Sequence, residues 1–386
     1  DESANDSDDE SANDSDDESA NDSDDEDSDD SSDSDEDSDE RASSELPEHA
    51  DADSFLDAND VYGLWLWSET PDIETILNDE AEQDDLLSFL SEPHGKEKRA
   101  INRLFLEARD YSVENRWEEV RDIHYDPLTE DDGQKSLRSF ISRAKDEGMG
   151  VEYLDGQAIW LATDENAEAA KEVCRDVTAF NEGTDDETER FDGVHFDIEP
   201  HTVQEGPYAG QWWEDPMEDG YNAEWTKRWE DILDSCRNTL DDYEEKTGHR
   251  MTLASDLGAD YSAYNQALVD ILNEEDGALD YVSIMNYYDN RPNAEGDPSY
   301  FYGDDDGDRV VGGVVENLEA WDELPVMFAV ETGPESIAPD WMSFHQEGYE
   351  VMYDTLDDLY EEYGDSDTLG AAIHHYGPDS FRSMDP

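Results

Sequence analysis

Phe191 to His201 reads F-D-G-V-H-F-D-I-E-P-H. Val194, Phe196 and Ile198 alternate with His195, Asp197 and Glu199, and His201 carries the polar series past Pro200. Successive side chains on a strand leave on opposite faces. The spacing therefore predicts one apolar face, and one face carrying an imidazole, two carboxylates and a second imidazole. Asp192-Gly193 opens the strand, and Pro200 closes it by removing a ladder donor. An antiparallel strand with its polar face in water would alternate in the same way, so the flanking chain has to decide.

Working outward, apolar strand candidates recur at Val61–Trp67, Ile101–Glu107, Gly150–Asp155, Phe191–Glu199, Met251–Asp256, Leu279–Tyr287, Pro325–Glu331 and Leu369–His375. Helical stretches fall between them, around Glu80–Leu90, Gln134–Glu147, Glu165–Phe180, Ala223–Lys246, Tyr264–Asn273, Val310–Leu318 and Phe344–Tyr363. Near-continuous apolar strands alternating with helices indicate parallel pairing. Eight of them predict an α/β protein, a (β/α)8 TIM barrel over residues 53–386. An open nucleotide-binding sheet is disfavoured, because no glycine-rich fingerprint follows the first strand.

Residues 1–52 read differently. Three copies of D-E-S-A-N-D-S-D precede a looser Asp/Ser run, and the first forty residues contain no Lys or Arg. With nothing apolar to bury, this is expected to be a disordered, self-repelling acidic tail that tethers or spaces the barrel. The whole chain has 111 acidic against 23 basic residues, a formal net charge of −88. That excludes phosphate-directed binding of nucleic acid and disfavours anionic membrane surfaces. It suits molar salt, where screening shortens to about 3 Å, and resembles the proteins of extreme halophiles. No apolar run is long enough for membrane insertion. A chain beginning at Asp1 is expected to have been trimmed, by processing or by design, and the protein to be an extracellular or surface-tethered monomer. Cys174 and Cys236 each fall in a helical stretch and are expected to be buried free thiols.

In such a barrel the chemistry gathers at the C-terminal ends of the strands. Those ends bring Trp67, Tyr153, Asp155, Asp197, Glu199, His201, Tyr287, Glu331 and His375 to one mouth, with Trp160 and Trp212 in adjoining loops. Aromatic rings with carboxylates, and almost no Lys or Arg, suit a carbohydrate substrate: sugar C–H faces pack on rings and hydroxyls bond to carboxylates. Two carboxyl groups can also supply the proton and the charge stabilisation that glycosidic cleavage needs. Trp225, Trp229 and Trp321 sit at helical positions and are expected in the core.

Here the sequence resembles glycoside hydrolase family 18, the chitinase and endo-N-acetylglucosaminidase group. The family's fourth strand reads D-G-x-D-x-D-x-E, against Asp192-Gly193-Val194-His195-Phe196-Asp197-Ile198-Glu199 here; its sixth carries M-x-Y-D, against Met285-Asn286-Tyr287-Tyr288. The resemblance implies Glu199 as general acid, Asp197 as the carboxylate orienting the substrate's 2-acetamido group, and Tyr287 as the hydroxyl holding its oxygen. The chain departs from the pattern at His195 and Tyr288, and at His374 or His375 where the family has a tryptophan. The branch expected is a divergent one.

Trp67, Tyr153, Asp155, Trp160, His195, His201, Trp212, Glu331 and His375 are then candidates for substrate contact, with no cofactor and no metal expected. His195 could equally be a core imidazole bonded to Asp197 or to a backbone carbonyl. Three alternatives stand beside this assignment. One is a retaining glycosidase pairing Glu199 with Glu331. Another is a metal-dependent barrel hydrolase using the histidines and carboxylates of the mouth. The third is a non-catalytic carbohydrate-binding surface protein. The acidic run Asp304–Asp308 lacks the spacing of an EF-hand calcium loop.

Overall fold

A computed structural model describes residues 52–384, apart from 69–71, 95–98, 112–116, 118–119, 121–122, 214–221, 275–276, 289–312 and 365–367. The acidic tail and the Asp304–Asp308 run lie outside the described residues.

The strands are β1 (Val61–Leu66), β2 (Arg103–Leu106), β3 (Asp110–Tyr111), β4 (Ile123–Tyr125), β5 (Gly150–Asp155), β6 (Gly193–Phe196), β7 (Thr252–Gly258), β8 (Tyr281–Met285), β9 (Val326–Glu331) and β10 (Thr368–His374). All but β3 and β4 close into a parallel barrel in the order β1-β10-β9-β8-β7-β6-β5-β2. Each of the eight sequence-predicted strands is a stave of it, so the chain is a (β/α)8 barrel. The β3–β4 ribbon, which the sequence reading lacks, follows β2 as an antiparallel pair.

Strand parity sorts the side chains into two cores. Tyr62, Leu64, Leu66, Val194, Phe196 and Ile198 face outward into the layer shared with the helices. Val61, Trp65, Phe105, Leu154, Ala254, Tyr281 and Met327 fill the barrel. The short helix Ala52–Leu56 plugs its N-terminal end: Phe55 meets Tyr281 edge-on at 5.3 Å, and the Arg103 guanidinium lies 4.0 Å from the centre of the Phe55 ring.

The predicted helices appear within a few residues of their expected bounds. Two exceptions are 264–273, which divides at Asn265 into Tyr261–Tyr264 and Gln266–Leu272, and 344–363, which starts only at Tyr349. Thr163 caps helix Asp164–Glu182 by accepting the Asn166 N–H at 3.1 Å, and Asn222 caps Ala223–Thr247 by accepting from Glu224 and Trp225. These two helices pack against each other beside β6 and are joined by a Cys174–Cys236 disulfide with Cα atoms 5.5 Å apart. The expectation of free thiols is therefore corrected. Two cysteines separated by 62 residues meet only because consecutive barrel helices are neighbours.

Candidate active site at the barrel mouth

The site is built on the end of β6. His195 is buried inside the barrel, and Asp197 and Glu199 continue its inward parity beyond the last ladder pair. Asp197 N–H donates to the Asp155 carbonyl at 3.0 Å, which carries the β5–β6 pairing one residue beyond the strand. Gly156 makes this approach possible: a Cβ at that position would lie 1.7 Å from the Asp197 carbonyl oxygen. Asp197 and Glu199 each keep part of their surface open to the mouth.

Beneath them runs a buried polar chain. Glu152 accepts from Arg103 Nε at 3.0 Å, from Thr252 Oγ1 at 2.9 Å and from the Tyr281 hydroxyl at 2.9 Å. Tyr281 Oη in turn meets His195 Nδ1 at 2.9 Å, and His195 Nε2 lies 2.8 Å from Asp256 Oδ1. Asp256 Oδ2 accepts from Trp65 Nε1 at 3.3 Å. With acceptors at both ring nitrogens, His195 is held as an imidazolium. Burial alone would lower its pKa, but Asp256 and Glu152 overcome this and raise it to about 9. Arg103 and His195 thus balance Glu152 and Asp256. His195 is a support below the site, not a substrate contact, and its carboxylate partner is Asp256 rather than Asp197.

At the mouth, burial raises the Glu199 pKa to about 7, with His374 pulling down and Asp256 pushing up. Burial and the neighbouring Glu199, Asp256 and Glu107 charges push Asp197 well above the usual carboxylate range. Asp197 Oδ1 is buried without a hydrogen-bond partner in the protein. His201 sits beside Glu199, its Nε2 3.6 Å from Oε1, with Nδ1 anchored to the Tyr261 hydroxyl at 2.6 Å. Burial lowers the His201 pKa to about 4, so this ring is neutral. Burial, then the Glu331, Asp197, Glu199 and Asp256 charges, keep Tyr287 a phenol.

Across the mouth, the β9–β10 register sets His374 opposite Glu331. Glu331 Oε2 is 2.7 Å from His374 Nδ1, and Oε1 accepts the Thr332 and Gly333 N–H groups at 2.8 and 2.5 Å. Burial opposes ionisation of Glu331, but His374 outweighs it and holds the pKa low. These three hydrogen bonds fix the orientation of the carboxylate. Tyr287 stacks on the His374 ring at 5.5 Å, and half-buried Trp67 meets it edge-on at 6.4 Å. His375 is 9% exposed.

Four expected mouth residues lie elsewhere. Tyr153 and Asp155 have the outward parity of β5, since Glu152 and Leu154 are its inward residues. Asp155 Oδ2 accepts from Tyr153 at 3.0 Å and Tyr111 at 2.6 Å, beside the β3–β4 ribbon. Trp160 is fully buried, edge-on to the outward-facing Phe196 at 5.6 Å. Trp212 is fully buried against Trp225, Trp229 and Tyr261. Trp225, Trp229 and Trp321 are core residues as expected.

His374, Asp256 and Glu107, read at strand ends from the sequence but given no catalytic or substrate-binding role there, also belong to the site. Their signal was position at the inward end of a strand. Glu107 accepts from Ser68 N and Oγ at 2.9 and 2.7 Å, tying β2 to the end of β1.

No protein-family model matches the chain, and no curated protein matches it. Among solved structures, it is similar to a glycoside hydrolase family 18 N-acetylglucosaminidase from Paenibacillus barengoltzii, at 14% identity and a TM-score of 0.45 over 82% of this chain and 95% of that one. It is also similar to the catalytic domain of psychrophilic chitinase B from Arthrobacter TAD20, at 13% identity and a TM-score of 0.42 over 84% and 92%. A third similar structure is the multi-modular, cell-surface-expressed chitinase ChiW from Paenibacillus sp. FPU-7, at 13% identity and a TM-score of 0.46 over 82% of this chain and 41% of that one. The barrel assignment rests on the strand order. Among the described residues, no helix is long and apolar enough to cross a membrane.

Proposed function

We propose that the protein is a glycoside hydrolase acting on a poly- or oligosaccharide, with Glu199 as general acid and Asp197 as its partner carboxylate. The observation that carries this is the pair itself: two carboxyl groups at alternate positions beyond β6, both open to the mouth and both pushed toward the protonated form. A carboxyl poised near pH 7 can give a proton to the glycosidic oxygen and take one back from water.

Asp197 Oδ1, buried and without a partner, is suited to accept the N–H of a 2-acetamido group. The acetamido carbonyl oxygen then attacks the anomeric carbon as Glu199 protonates the departing oxygen. Water, deprotonated by Glu199, afterwards opens the resulting ring. Tyr287, kept as a phenol, supplies a donor to the acetamido oxygen. Trp67, His201, Glu331 and His375 line the cleft, and a secreted or surface-tethered setting in high salt fits the acidic chain.

The test is a hydrolysis screen in molar salt on N-acetylated and non-acetylated glycans, comparing wild type with Glu199→Gln and reading products by mass. Cleavage confined to acetamido sugars and lost in the variant is the expected result. Full activity in Glu199→Gln overturns the assignment.

A further inference from the structure

The geometry points to a transition-metal site at the barrel mouth, formed by Glu331, His374 and His375. One ligand atom from each residue lies within 4.8 Å of those of the other two. Ligands around a tetrahedral ion with bonds of about 2.0–2.1 Å stand roughly 3.3 Å apart, inside that envelope.

Three features mark it as a built site. First, Thr332 and Gly333 N–H groups hold Glu331 Oε1, which fixes the carboxylate and leaves Oε2 to face His374. Outer hydrogen bonds of this kind orient metal-binding carboxylates. Second, His375 is nine-tenths buried, and its Nδ1 has no hydrogen-bond partner in the protein. A buried polar nitrogen without a partner costs free energy that a metal bond would recover. Third, the His374 ring and the His375 backbone are held in place. His374 packs against Trp65, Trp67 and Tyr287, while the His375 carbonyl accepts from Ser380 Oγ at 2.7 Å and Phe381 N at 3.3 Å.

Two imidazoles and one carboxylate select a first-row divalent ion such as zinc, iron or manganese; calcium and magnesium prefer all-oxygen shells. Three protein ligands leave coordination positions open for water or a substrate oxygen. Asp197 and Glu199 take no part, so the site stands or falls separately from the proposed hydrolysis.

The test uses the full chain, stripped with chelator, in molar NaCl with millimolar Mg2+ to occupy surface carboxylates. Cobalt(II) is titrated and visible absorption recorded. One equivalent with intense bands, displaced by zinc, is expected. His375→Gln and Glu331→Gln should weaken binding at least ~10-fold, whereas Glu199→Gln keeps the stoichiometry. In His375→Cys a thiolate-to-cobalt charge-transfer band should appear, which requires residue 375 to touch the ion. No visible bands in wild type, or bands unchanged in His375→Gln and no new band in His375→Cys, overturns the site.

Discussion

His195 Nε2 lies 2.8 Å from Asp256 Oδ1 in the centre of the barrel, two residues below Asp197 on the same strand face. The pair joins the buried Arg103–Glu152 ion pair to the floor of the site, so stability and the charge at the mouth are linked through one hydrogen-bonded column.

That linkage gives a pH dependence of stability. The His195 pKa is raised to about 9 from an unfolded value near 6.5. Its stabilisation is fully present below about pH 6.5 and is lost as pH rises through 9, on the order of 3 kcal/mol in all. Chemical denaturation at constant salt between pH 6.5 and 10 should show this decline, and His195→Gln should flatten it. An unchanged slope in the variant would place the loss elsewhere.

Arg103 and Glu152 are fully buried. Arg103→Met strands the Glu152 carboxylate in the barrel, at a cost of about 3–5 kcal/mol. The denaturation midpoint of this variant should fall well below that of a surface control such as Lys227→Met.

On the proposed mechanism activity requires protonated Glu199, whose pKa burial raises to about 7. Activity should therefore fall as pH rises past roughly 7. Asp197→Asn should reduce kcat/KM by about 10²-fold or more while leaving the fold intact. A rate that climbs steadily to pH 9 argues against Glu199 as the acid.

The aromatic residues divide by place. Trp67→Ala should raise KM with little change in melting temperature, because the ring sits half-exposed at the mouth. Trp160→Ala and Trp212→Ala should each cost about 3–5 kcal/mol of stability through core cavities. Paired kinetics and thermal melts on the three variants separate the two roles.

Reducing the Cys174–Cys236 disulfide opens a loop of 62 residues. On chain-entropy grounds this should cost roughly 4 kcal/mol. Cys174→Ala/Cys236→Ala should match the reduced wild type in a denaturant titration and be insensitive to reductant.

The amino-acid sequence by itself determined the barrel, and on β6 it determined the faces. Apolar runs alternating with amphipathic helices leave few architectures open, and period-two alternation assigns inward and outward directly where one face is polar. On β5 every residue is buried, so parity could not be read; Tyr153 and Asp155 pass for mouth residues until the ladder to β6 shows Glu152 and Leu154 facing in. Which side chains meet between neighbouring strands and helices was also beyond the linear order. Register sets His374 opposite Glu331, helix packing joins Cys174 to Cys236, and the pairing of β6 with β7 brings Asp256 to His195. These contacts link residues far apart in the chain. Local propensity carries no information about them; only closure of the sheet and packing of the helices around it bring the partners within bonding distance.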